Sequence, residues 1–95
     1  MDKYLISYDI TKDRNRNQIR KMLLGYGIPV QYSVFECFLT KTEYKELIDK
    51  ITKVFKKFDV SDSVRIYPLC KDCNSKIHII GSGDIVSFDD KPIII

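Results

Sequence analysis

Thr40-Lys41-Thr42-Glu43 begins the stretch that decides the fold, because it fits a capping box at the start of a helix. Behind it Tyr44, Leu47, Ile48, Ile51, Val54, Phe55 and Phe58 keep the i, i+3, i+4, i+7 rhythm without a miss, which predicts an amphipathic helix with one face to bury. Upstream, residues 3–9 alternate: Tyr4, Ile6 and Tyr8 share one face, and Leu5, Ser7 and Asp9 the other. This pattern predicts a strand ending near Asp9. Asp13 then stands as the N-cap of a helix carrying Ile19, Met22, Leu23 and Tyr26, with Gly25 and Gly27 as its stop. Residues 30–39, after Pro29, form a long β-rich run. Val30, Tyr32, Val34 and Phe38 lie on one side of it, interrupted by Glu36, and Phe35, Cys37 and Leu39 on the other. A second strand, apolar on both faces, is expected there.

Downstream, residues 59–63 break the long helix, residues 64–69 read as a third strand, and residues 76–80 read as a fourth after a turn around 72–75. The order fits an α+β, ferredoxin-like βαββαβ antiparallel sheet with two helices on one face, provided the 30–39 strand is bent or split. No repeat, low-complexity tract or Gly/Ser linker interrupts residues 1–95, so a single domain is expected. The tail, from about residue 82 to 95, holds apolar pieces at 85–88 and 92–95 that are too short for helices. An exposed Ile93-Ile94-Ile95 invites aggregation, and adding it as a strand to a partner chain would hide it.

At 95 residues with 44% apolar content, the chain is too short for two ordinary domains and too hydrophobic for disorder. Small domains bury a modest share of their surface, so a homo-oligomer is a natural way to complete the core. The N-terminus lacks the apolar region of a signal peptide, and no run is long enough to span a bilayer. Cys37, Cys70 and Cys73 are odd in number, which argues against a disulfide framework and for a reducing, cytoplasmic setting. The net charge of +3 is mild, but Lys12, Arg14, Arg16, Arg20 and Lys21 oppose only Asp13, which makes the basic surface local and N-terminal.

Three features carry possible chemistry. Asp9, at a strand end and followed at once by the basic helix, suits a divalent cation beside a phosphate. Mg²⁺ keeps most of its waters and needs one or two carboxylates from protein, so one Asp per chain suffices if a two-fold axis pairs two copies. Arg14, Arg16 and Arg20 have the forked guanidiniums that match phosphate. On composition alone, however, such an Asp is more often a turn former, and a basic helix face is usually just solvated. The second feature, Cys70-Lys71-Asp72-Cys73, invites a zinc or redox reading. It lacks a second close pair of ligands, and it is expected to lie between two strands and not at the opening of a helix. Ordinary, partly buried cysteines are the expectation, with His78 on the sheet surface. The third feature is the wealth of Tyr and Phe, which could stack unpaired bases but fits core positions better.

Tyr8-Asp9-Ile10, then Asp13, Arg14 and Arg16, then Gly27, Gln31-Tyr32-Ser33-Val34-Phe35-Glu36, and finally Val64-Arg65-Ile66-Tyr67-Pro68-Leu69-Cys70 with Cys73 together resemble the CRISPR-associated protein two family. The resemblance implies a ferredoxin-like subunit in a two-fold homodimer, with each C-terminal strand exchanged onto the partner's sheet. It implies a Mg²⁺-dependent endonuclease acting in spacer acquisition for antiviral defence, cutting single-stranded RNA or double-stranded DNA. Asp9 would be the metal ligand near the dimer axis, with Tyr8 beside it and Phe35 close to the two-fold as the other candidate catalytic residues. Arg14 and Arg16 match the family's phosphate-proximal arginines, and Gln18 stands where some members carry another. The alternative that the resemblance carries is a non-catalytic DNA-binding scaffold that bridges dimers of the CRISPR-associated integrase.

Overall fold

The computed structural model describes residues 1–86. Its elements run β1 (Asp2–Asp9), α1 (Asp13–Leu24), β2 (Gly27–Gln31), β3 (Val34–Leu39), α2 (Lys41–Phe55), β4 (Ser63–Leu69) and α3 (Lys71–Ser75). The four strands form one antiparallel sheet in the order β2-β3-β1-β4. Each of the first two helices therefore connects strands that have one other strand between them, which is the split βαβ pattern of a ferredoxin-like α+β fold.

Register explains which side the helices cover. Ile6 stands opposite both Phe35 and Ile66, and Tyr4 opposite Cys37, so these residues share a face. On that face Ile6, Tyr8, Phe35, Cys37 and Leu39 pack with Ile19 and Leu23 of α1 and Leu47 and Ile51 of α2, all of them buried. The capping box at the start of α2 forms with both halves in place. Thr40 Oγ1 accepts from the Glu43 amide at 3.1 Å, and the Thr40 amide donates to Glu43 Oε1 at 2.9 Å. The helix stops at Phe55, three residues short of the apolar rhythm, yet Phe58 still stacks on Phe55 with ring centroids 4.5 Å apart.

The expected single strand over 30–39 is instead two strands joined by a tight turn. Ser33 takes a left-handed backbone with φ of 65°, and Gln31 pairs with Val34 across it. Pro29 is tolerated because β2 is an edge strand, where a missing amide costs no ladder bond. Gly27 allows the close approach: a Cβ there would lie 2.3 Å from Cys37 Sγ and 2.6 Å from the Glu36 carbonyl oxygen.

Three further expectations are corrected. Asp13 is the first residue of α1 and not its N-cap; Lys12 holds the cap position and contributes no side-chain bond, because an ammonium has no acceptor for the helix amides, and the Asp13 carboxylate is paired with Arg16 instead. Residues 76–80 form no strand. The chain turns into α3 instead, where Cys70 Sγ accepts the Cys73 amide at 3.2 Å and the Asn74 amide reaches the Cys70 carbonyl at 2.9 Å. His78 is accordingly exposed in an irregular segment and not on a sheet. The expected strand exchange falls largely on residues 87–95, which lie outside the described residues.

The second face of the sheet is only partly covered. Leu5, Ile28, Val34 and Glu36 line a hollow of about 500 Å³ with Ile85 and Val86 of the C-terminal segment. Lys3 is buried at its margin, with its ammonium 2.6 Å from Glu36 Oε1, bonded to Asn74 Oδ1, and 3.3 Å from the Val86 carbonyl. This polar knot ties β1, β3, α3 and the C-terminal segment together.

Candidate nucleic-acid and metal site

The alternation of β1 turns Tyr8 into the core and leaves Asp9, the last residue of the strand, exposed on the other face. Across the β1–β4 ladder Ser7 pairs with Arg65 and Asp9 with Ser63, so these four side chains share that face. With Tyr67 they line a hollow of about 280 Å³. Arg65 lies 3.4 Å from the Tyr67 hydroxyl, at the outer limit of a hydrogen bond. The Asp9 carboxylate makes no hydrogen bond or ion pair among the described residues, so its lone pairs face solvent. A hard cation that keeps most of its own waters fits such a donor, with the Ser7 and Ser63 hydroxyls beside it. Among the described residues no three His, Cys, Asp or Glu side chains gather into a complete metal cluster.

The loop after Asp9 is braced from several sides. Asp62 accepts the Thr11 amide at 2.9 Å and the Asp59 amide at 3.1 Å, and these bonds, the Thr11 bond foremost, hold the Asp62 carboxyl below its usual range. Arg16 donates from Nη1 to the Ile10 carbonyl at 3.1 Å and pairs with Asp13. Its guanidinium is therefore a brace of this loop and not a free phosphate ligand.

Of the other residues expected at the site, Tyr8 stays beside Asp9, while Phe35 and the arginines lie elsewhere. Phe35 has no exposed surface and Tyr8 is 6% exposed, with their rings 6.4 Å apart. Both belong to the core behind the end of β1, and Tyr8 also reaches the wall of the Asp9 hollow. The Tyr8 amide also bonds the Ser33 carbonyl at 3.1 Å, which anchors the end of β1 to the β2–β3 turn. Arg20 stacks on Phe35 with its guanidinium carbon 5.7 Å from the ring centroid, close to the exposed Tyr32.

Arg14 alone of the three arginines opens into a basic groove. Lys12, Arg14, Lys53 and Lys57, with Gln18 and Phe58, line about 480 Å³ between α1 and the end of α2. Lys12 is drawn to Asp59 at 3.7 Å, while Arg14, Lys53 and Lys57 have no acidic partner among the described residues. Sequence reasoning does not single out Lys53 and Lys57, although their i, i+4 spacing around Val54 already places them on one helix edge. It also misses Ser63 and Arg65, whose signal is the alternation of β4. The combined substitution Arg14→Glu and Lys53→Glu is expected to weaken duplex DNA binding at low salt. It should also flatten the slope of log affinity against log salt by about 0.9 for each phosphate that is no longer neutralised. Filter binding or fluorescence anisotropy across a salt series checks this, and an unchanged slope would remove the groove from the nucleic-acid surface.

Residues 1–77 match the family model described as CRISPR associated protein Cas2. The chain is similar to a CRISPR-associated endoribonuclease Cas2 of Chloroflexus aurantiacus, with 48% identity over 80 residues covering 84% of this chain and 85% of that one. It is 38% identical to one from Methanospirillum hungatei over 95 residues, the full length of both. Among solved structures, the crystal structure of Streptococcus pyogenes Cas2 superposes with a TM-score of 0.69 at 28% identity, covering 83% of this chain and 99% of that one. A chain of a partial Cas6-RT-Cas1–Cas2 complex superposes with a TM-score of 0.73 at 32% identity, covering 98% and 91%.

Proposed function

The chain belongs to the CRISPR associated protein Cas2 family, and we propose that it is a cytoplasmic, Mg²⁺-dependent endonuclease of spacer acquisition in antiviral defence. It hydrolyses phosphodiester bonds in single-stranded RNA or double-stranded DNA. The observation that carries this reading is the Asp9 carboxylate, solvent-facing at the strand end and flanked by Ser7, Ser63 and Arg65. The reading takes its chemistry from the names of the relatives, which are called endoribonucleases.

Each residue then has a physical role. Asp9 holds the cation together with Asp9 of a second copy in a homodimer, since Mg²⁺ is content with two carboxylates and its own waters. When bound, the metal supplies an acidified water and positive charge against the phosphate. Arg65, two pairs along the ladder on the same face, offsets charge on the phosphate oxygens. Tyr8 and Phe35 fix the direction of the strand end by filling the core behind it. Arg14, Lys53 and Lys57 grip the backbone and give affinity without sequence choice.

The test is cleavage of single-stranded RNA and of duplex DNA by the purified chain, with Mg²⁺ and again with EDTA. Cleavage of at least one substrate that needs Mg²⁺ is expected; no cleavage of either, with binding intact, would favour the scaffold reading. That second reading has its own observation, since the residues of the basic groove are all distinct from those lining the Asp9 hollow. In it the groove grips duplex DNA while the subunit bridges integrase dimers, a reading supported by the likeness to the Cas1–Cas2 complex chain.

A further inference from the structure

The nuclease reading leaves Cys70 and Cys73 without a role. Their two sulfurs lie 3.0 Å apart, about 1 Å longer than the covalent S–S bond of ~2.05 Å. Both residues are exposed, so the expectation of ordinary, partly buried cysteines is corrected along with the expectation that the pair lies between two strands. The pair follows β4 and opens α3. Local geometry holds the sulfurs together: the Cys70 side chain turns back over the first turn of α3 and accepts the Cys73 amide at 3.2 Å. Cys37 is the contrast. It is fully buried under Gly27, and burial pushes its thiol up to about 12, which leaves it inert.

We propose that Cys70 and Cys73 are a redox-active dithiol, oxidised to an intrachain disulfide by low-molecular-weight disulfides of the glutathione type, with Cys70 as the attacking sulfur. The inference is independent of the nuclease reading. In the first step the Cys70 thiolate attacks one sulfur of the small disulfide, the S–S bond breaks, and one small thiol leaves with the electron pair and takes up a proton. In the second, the Cys73 sulfur loses its proton and attacks Cys70 Sγ, and the second small thiol is released. The protein dithiol gives up two electrons and two protons, and one small disulfide becomes two thiols. The assignment of Cys70 as attacker agrees with the close Cys73 sulfur and the Cys73 amide, which lower the Cys70 thiol below its ordinary value, while the Cys70 sulfur raises Cys73.

The position of the pair gives the bond a structural consequence. Asn74, directly after Cys73, receives a hydrogen bond from the buried Lys3 ammonium, and Lys3 in turn pairs with Glu36 of β3. A disulfide from the end of β4 to the first turn of α3 would fix Asn74 under Lys3. Oxidation therefore tightens the junction between the sheet and the segment that follows α3.

The full-length protein is incubated in glutathione buffers of graded composition, quenched in acid, alkylated, and weighed intact. The expected product has lost two hydrogens and two alkylatable thiols together, with Cys37 alkylating only after unfolding. With oxidised glutathione alone, Cys73→Ser should accumulate the mixed disulfide at Cys70 several-fold faster than Cys70→Ser accumulates it at Cys73, because the amide of residue 73 still donates to the Cys70 sulfur and exchange follows the thiolate fraction. Circular dichroism confirms that both exposed-site variants are folded. A protein that stays fully reduced in the most oxidising buffer, or that forms only disulfides between two chains, overturns the proposal. Equal rates in the two variants overturn the assignment of Cys70.

Discussion

Asp9→Asn is expected to lower Mg²⁺-dependent cleavage by about 100-fold or more, because even residues that only support a metal ligand cost about 10–100-fold when lost. Asparagine keeps the shape and one oxygen but removes the charge that draws a hard cation. The side chain is exposed and bonds nothing among the described residues, so unfolding free energy should stay within about 0.5 kcal/mol of wild type. Loss of activity with unchanged stability separates a chemical role from a structural one. A mutant that cuts at the wild-type rate would end the assignment of Asp9.

Lys3→Ala should have the largest effect on stability. The ammonium is buried, and its removal strands the Glu36 carboxylate, whose side chain is 15% exposed, without its ion-pair partner at 2.6 Å. Breaking one side of a buried pair costs about 3–5 kcal/mol. That is a large share of the roughly 5–15 kcal/mol that holds small domains folded. Asn74 Oδ1 and the Val86 carbonyl lose a donor at the same time, so the C-terminal segment should loosen with it. Urea unfolding at fixed protein concentration reads the loss. The double variant Lys3→Ala with Glu36→Ala should recover part of it, because no uncompensated charge then remains buried. A Lys3→Ala protein as stable as wild type would show that the knot contributes nothing.

The parts of the fold legible in the sequence are those with local causes. The capping box at Thr40 and the alternation of β1 depend on neighbours within a few residues, and both stand as expected. The β2–β3 turn depends on Ser33 taking a left-handed backbone with no Gly or Asn to announce it, so the pattern there reads as one long strand. Glu36 is visible as an interruption in an apolar face, but its partner Lys3 is set by the β1–β3 register, which is a tertiary fact. The turn of α3 hides for a different reason: its cap is a cysteine sulfur and not one of the usual oxygen side chains.

The candidate site divides the same way. Asp9 is legible because a strand end can be read locally, and Arg14 because the basic cluster is contiguous. Arg16 and Arg20 belong to that cluster as well, but the fold gives one to the Ile10 carbonyl and the other to the Phe35 ring. Lys53, Lys57, Ser63 and Arg65 join the two sites only when α2 and β4 pack beside the N-terminal elements.

Whether two copies of Asp9 complete one metal site is decided by subunit mixing. Wild type and Asp9→Asn are combined in equal amounts, allowed to exchange, and assayed for Mg²⁺-dependent cleavage at constant total protein. If the site needs both carboxylates, only wild-type pairs cut, and activity falls to about a quarter of the undiluted value. Activity of about one half would mean that each chain carries a complete site of its own and that Asp9 is not shared across a dimer.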